Sequence, residues 1–359
     1  MRLGLLIYGS LNTLSGGFLY DRILVDYLEK KGDQVVIISL PWEKYLLSLR
    51  HNFSSSLWKH LQSLRLDLIL EDELCHPSLF WSNQRIKGST SLPLISIVHH
   101  LRSSEDHPRW ENRVYRIIER LYLESLDGYI YNSHATRQSV ENLYPHDKPS
   151  LIAQPGSDRL AAHISSEEIR ARAHQPALLQ MLFLGNLIPR KGLHIVLNAL
   201  SRLPPGQWTL TIVGSLEMDL QYAQEMRELA RSLNVEDRVQ FMGPLGESRL
   251  VDVMRAHHVL VLPSSYEGYG IAYLEGMGFG LPAIATTSGG AVEIITPGEN
   301  GYLVTPGDIG ALAQMLSDLF NDRDRLAVMS LNARQRYLTH PTWLDTCERI
   351  RTFLLDFLI

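Results

Sequence analysis

At 359 residues the chain is too long for one ordinary core, and at ~150 residues per domain it fits roughly two. Hydrophobic residues make up 45% and charged residues 20%, which excludes a disordered chain. The net charge of −5 argues against a general nucleic-acid binder, and two distant cysteines, Cys75 and Cys347, argue against a disulfide scaffold or a cysteine zinc site and fit a reducing cytoplasm.

In chain order, residues 2–8 form an apolar run too short for a signal-peptide core or a membrane span, and read as a buried first strand. Ser15-Gly16-Gly17 follows, where paired glycines allow a backbone to approach a ligand closely; a plain strand–helix turn fits the same residues. An amphipathic helix is expected over 19–31, then strands over 34–40, 66–70, 94–99 and 128–132. His99-His100 stands at the end of the strand that begins at Leu94, placing an imidazole where it can hydrogen-bond a sugar hydroxyl or move a proton. No other histidine stands at ligand spacing, so a metal is not expected there.

Gln154-Pro155-Gly156-Ser157-Asp158 breaks the pattern, and the hinge is placed near 155–177. Strands are then expected over 179–184, 208–213, 239–242, 258–262, 282–285 and 301–304. Short apolar runs separated by helices argue parallel sheets buried on both faces, so each half reads as a doubly wound α/β unit. The division expected is 1–160, 161–340 and a helical tail, 341–359, packing back on the first domain.

Two stretches of the second half carry charge where such sheets place ligands. After the strand over 179–184 come Gly185-Asn186-Leu-Ile-Pro-Arg190-Lys191-Gly192, a loop whose two cations suit a diphosphate; an exposed basic turn is the plainer reading. After the strand over 258–262 come Glu267-Gly268-Tyr269-Gly270, opening a helix whose N–H groups favour an anion. Glu275 lies eight residues beyond Glu267, so both are expected along one helix face, accepting hydrogen bonds from sugar hydroxyls. A helix cap and a surface glutamate fit that spacing equally. Strict G-x-G-x-x-G, P-loop, G-x-S-x-G and H-E-x-x-H motifs are absent. Asp322-Arg323-Asp324 has a D-x-D form but reads as a solvated helix surface.

Taken together, these stretches resemble glycosyltransferase family 4, retaining enzymes of the GT-B fold with two Rossmann-like domains facing a central cleft. Carrying the resemblance are the E-x7-E pair Glu267 and Glu275, Gly280-Leu-Pro-Ala-Ile-Ala-Thr-Thr-Ser-Gly-Gly-Ala-Val-Glu293, the Gly185–Gly192 loop and the early Ser-Gly-Gly turn. The resemblance implies that Arg190 and Lys191 clamp the donor diphosphate, and that Glu267 holds sugar hydroxyls. It implies that Gly185, Gly268, Tyr269 and Gly270 line the donor, that Glu275 binds the ribose, and that Gly243 lies near the base. Gly16 and Gly17 would close over the donor, and His99 would contact the sugar near the reacting carbon. His100 stands where the family often has Asp, and Asn186 where it has Arg.

The expected activity is a retaining, metal-independent transfer of a sugar from a nucleotide-diphosphate donor to a saccharide or lipid-linked hydroxyl, with no cofactor and no nucleic-acid partner. A GT-B nucleotide-sugar epimerase or a catalytically silent sugar-nucleotide-binding protein are the alternatives. A cytoplasmic location is expected, with peripheral membrane contact raised by the basic, aromatic stretch 42–65 and by Arg113, Arg116 and Arg120 on one helix face. Core-facing apolar residues with solvated charges are the favoured reading of that stretch.

Overall fold

The computed structural model describes residues 1–175 and 178–358, and two compact units divide it: Met1–Pro155 with Thr342–Ile359, and Gly156–Pro341. The second unit thus starts a few residues before the expected boundary at 161. The first unit holds strands β1 (Arg2–Tyr8), β2 (Gln34–Leu40), β3 (Leu68–Asp72), β4 (Leu94–Val98), β5 (Gly128–Tyr131) and β6 (Ser150–Ile152). They form one all-parallel sheet in the order β2-β1-β3-β4-β5-β6. β3 and β4 are buried along their whole length, as strands covered by helices on both faces must be. The direction of strand order reverses between β1 and β3, the topological switch point of this sheet.

The second unit holds β7 (Leu179–Leu184), β8 (Trp208–Val213), β9 (Val239–Gly243), β10 (Val259–Val261), β11 (Ala283–Thr286) and β12 (Gly301–Val304). Their order is β12-β11-β10-β7-β8-β9, again parallel, with the reversal between β7 and β10. Leu182, Phe183, Trp208, Ile212, Leu260 and Ile284 are fully buried in its core.

The tail helix Trp343–Leu355 packs within the first unit. Arg351 reaches Asp33 at 2.6 Å, and the same carboxylate takes the chain's N-terminal ammonium at 2.8 Å. Burial works to raise Asp33, but these two cations outweigh it and hold the carboxyl below its usual range. Thr346 donates to the Gln154 carbonyl and Arg349 to that of Ile152, tying the helix to the end of the first-unit sheet. Cys75 and Cys347 are both buried, and neither is in a disulfide. No described helix is long and apolar enough to cross a membrane.

Candidate active site

In the second unit, the loops after β7 and β10 leave adjacent strands at the switch point and bring their charges together. Lys191 Nζ lies 2.6 Å from Glu267 Oε1, and Arg190 lies 3.8 Å from Oε2 while donating to the Tyr266 carbonyl at 2.6 Å. Ser264 donates to Glu267 Oε1 at 2.5 Å, and its own carbonyl accepts from Thr286. Glu267 is 7% exposed. Burial alone would raise its carboxyl, but Lys191 and Arg190 prevail and hold it below the usual carboxylate range. The result is an ionised carboxylate with two cations fixed beside it, at the carboxyl ends of the two strands where α/β sheets place ligands.

Glu267 does not stand on the helix. The helix Ile271–Gly278 starts after it, with Gly270 as N-cap in the left-handed region and no side chain capping its first turn. Glu267 and Glu275 therefore do not share a helix face, contrary to expectation: the glycine-containing turn Gly268–Gly270 leaves the helical path. The Glu267 backbone instead bridges to Gly289. A Cβ at Gly289, where φ is +75°, would sit 1.9 Å from the Glu267 carbonyl oxygen, so only glycine admits this approach. The Tyr269 side chain turns away to His340 at 3.1 Å, leaving its backbone at the loop. Gly185 lies against the Lys191 side chain, and the Gly243 carbonyl at the end of β9 accepts the Gly214 N–H.

Glu275 sits instead with Arg159, 2.6 Å away, which also reaches Glu247 at 2.8 Å. Burial nevertheless raises the Glu275 carboxyl. Arg159 was missed in the sequence because it follows the Gln154–Asp158 break; a lone cation there carries no motif. Asn186 accepts the Ser215 N–H at 3.1 Å, joining the loops after β7 and β8 rather than replacing a guanidinium. Asp322 caps the helix Arg323–Leu338 and Asp324 meets His174 at 2.8 Å, so the D-x-D sequence serves local structure.

In the first unit, Ser15 caps the helix Gly16–Lys30, and Gly17 passes so close to His99 that a Cβ there would meet the ring at 3.1 Å. The His99 backbone N–H donates to Glu73 Oε2 at 2.7 Å, and its carbonyl accepts from Asn132. Its Nε2 lies 3.3 Å from Asp21 Oδ1, and Tyr20 packs edge-on to the ring. Asp21, Asp72 and His99 hold atoms capable of binding a cation within 4.8 Å of one another. Sequence reasoning missed both aspartates, although the acidic run Glu71-Asp72-Glu73 at a strand's carboxyl end was a signal. His100 turns to Glu105 at 2.9 Å.

The fold has close relatives among solved structures. Sucrose-phosphate synthase from Thermosynechococcus elongatus aligns over 99% of this chain and 98% of that one, at 21% identity and a TM-score of 0.84. Anabaena HepE in complex with UDP-glucose aligns over 99% and 100%, at 21% identity and a TM-score of 0.80. This is the GT-B architecture of glycosyltransferases. A profile of glycosyl transferases group 1 matches residues 165–336, and one of Glycosyltransferase Family 4 matches residues 20–156. The chain belongs to glycosyltransferase family 4. Among curated relatives, D-inositol 3-phosphate glycosyltransferase of Corynebacterium urealyticum is 28% identical over 268 residues, covering 72% of this chain and 62% of that protein. The Corynebacterium efficiens enzyme of the same name is 28% identical, covering 78% and 70%.

Proposed function

We propose that the protein is a retaining glycosyltransferase that moves a sugar from a nucleoside diphosphate to a hydroxyl acceptor without a metal ion. The observation that carries this reading is the Lys191–Glu267–Arg190 cluster at the switch point. Breaking the sugar–diphosphate bond leaves negative charge on the departing phosphate and an electron-poor sugar. Lys191 and Arg190 meet the first, and the uncapped start of the helix Ile271–Gly278 adds N–H donors. Glu267, kept ionised, accepts hydrogen bonds from donor hydroxyls and orients the ring. Glu275 takes ribose hydroxyls, with Arg159 steadying it. Gly185, Gly243 and the Gly268–Gly270 backbone line the donor; Gly16, Gly17 and His99 serve the sugar from the first unit. The departing phosphate oxygen takes the acceptor proton, so no separate base is required.

HepE was captured with UDP and with UDP-glucose, which makes uridine donors the first to test. Lys191→Ala and Glu267→Ala should each lower transfer by about 10²–10³-fold or more while the far-ultraviolet spectrum stays unchanged. Near wild-type transfer by either variant refutes the reading.

The acceptor in this reading is a saccharide or a lipid-linked hydroxyl. Supporting a membrane-borne acceptor, Trp42, Leu46, Leu47, Phe53, Trp110 and Ile117 of the first unit are each more than half exposed, which the favoured sequence reading of 42–65 did not expect. Arg109, Arg113, Arg116 and Arg120 are exposed on the helix Arg109–Ser125 beside the last two. Flotation with vesicles containing anionic phospholipid should carry the protein upward, more weakly at high salt. Absence of co-flotation at low salt removes the membrane from the proposal.

A further inference from the structure

Asp21, Asp72, Glu73 and His99 meet at the switch point of the first-unit sheet, brought there by the first helix, the end of β3, the residue after it and the end of β4. Asp21 and Asp72 are 0% exposed and His99 is 7% exposed. No lysine or arginine forms an ion pair with the two aspartates among the described residues. Asp72 Oδ1 accepts the Leu74 N–H at 2.8 Å, and Asp21 Oδ1 faces His99 Nε2. The second oxygen of each aspartate, Asp21 Oδ2 and Asp72 Oδ2, accepts no hydrogen bond from any described donor. Two adjacent carboxylates cannot both remain charged and unsolvated in such a place.

We propose that Asp72 carries a proton and donates it to Asp21, and that Asp21, so fixed, accepts the Nε2–H of His99. The imidazole is then neutral, with Nδ1 as its one lone-pair acceptor, suited to a donor-sugar hydroxyl; this last step rests on the glycosyltransferase reading. Asp21 and Asp72 are positioning residues acting through His99. Burial comes first in raising both carboxyls, and the charge of Asp21 raises Asp72 further. Burial also depresses His99, although Asp72 works the other way. The other titratable groups facing the pair are Glu73, Tyr20 and Cys75, each raised by burial first. A resident divalent ion is the competing occupant: Asp21, Asp72 and His99 would supply three ligands with water completing the set, and metal content decides between the two accounts.

The test is nitrogen-15 NMR of histidine-labelled protein, with His99→Gln assigning the His99 signals, alongside metal analysis and transfer assays with UDP-glucose. Wild type should show His99 as the Nε2–H tautomer. Asp21→Ala should mix the tautomers and lower kcat/KM by about tenfold to a hundredfold. Asp21→Asn, which can still accept from His99 and donate to Asp72, should restore both. An Nδ1–H or protonated His99, unchanged tautomers in both Asp21 variants, or one equivalent of a divalent metal in the purified protein overturns the proposal. The expected tautomers without turnover of any donor would refute the glycosyltransferase reading and leave the proton network standing.

Discussion

The two units place polar clusters at equivalent points of equivalent sheets, yet solve opposite electrostatic problems. In the second unit the buried carboxylate of Glu267 has two cations beside it, and its carboxyl is held low. In the first, Asp21, Asp72 and Glu73 are buried without a comparable cation, and all three carboxyls are pushed up. Burial pulls both clusters the same way; the neighbours decide which protonation state survives. A balanced cluster is an ionised clamp ready for a charged, hydroxyl-rich ligand. An unbalanced one stores protons and lends itself to hydrogen-bond direction.

The largest effect should come from making the second cluster resemble the first. Lys191→Ala, besides its loss of transfer, leaves Glu267 with burial opposed mainly by Arg190. The carboxyl should rise, and the sign of its contribution to stability can then be read. In wild type, Glu267's folded value lies below its unfolded one, so its contribution is present above the unfolded value and is lost as pH falls through the folded one. In Lys191→Ala that acid-side loss should shrink or reverse, as followed by thermal melts across acidic pH.

A smaller effect is expected at Arg159, which pairs with both Glu275 and Glu247 and supports Glu275 from outside the charge clamp. Arg159→Ala should raise the donor KM by about 2–10-fold with little change in kcat. A kcat loss as large as that of Lys191→Ala would place Arg159 in the clamp itself and blur the distinction between the two glutamates.

The smallest effect should come from relieving the first cluster. Asp72 has a folded value above its unfolded one, so its stabilisation is full below the unfolded value of about 4 and is lost as pH rises through the folded one. Asp72→Asn keeps a donor toward Asp21 without that titration. Its melting temperature should fall less than wild type's between about pH 5 and 8, with roughly 2–4 °C regained per kcal/mol relieved. Parallel melting curves would show that Asp72 is not the proton carrier.

Much of this was readable beforehand because parallel strands buried on both faces leave continuous apolar runs. The bounds of β1, β2, β7, β8 and β12 coincide with the expected runs. β6 escaped because three half-buried residues, Ser150–Ile152, give no run to see. Glu267, Arg190 and Lys191 were legible because each lies just after a strong strand. The start of the following helix was not, since a left-handed glycine decides it. Arg159, Asp21 and Asp72 were illegible for another reason: their partners come from distant connections, and pairing across a sheet edge leaves no spacing in the chain.

The return of residues 342–359 to the first unit has a consequence for synthesis. The second unit is inserted, in chain order, between the body of the first and its closing helix. On the ribosome the opening sheet must therefore wait, with Asp33 lacking its Arg351 partner and Tyr20 its Trp343 neighbour, until the whole insertion has been made. The portion begun earliest is finished last, once residues 342–355 have left the ribosome.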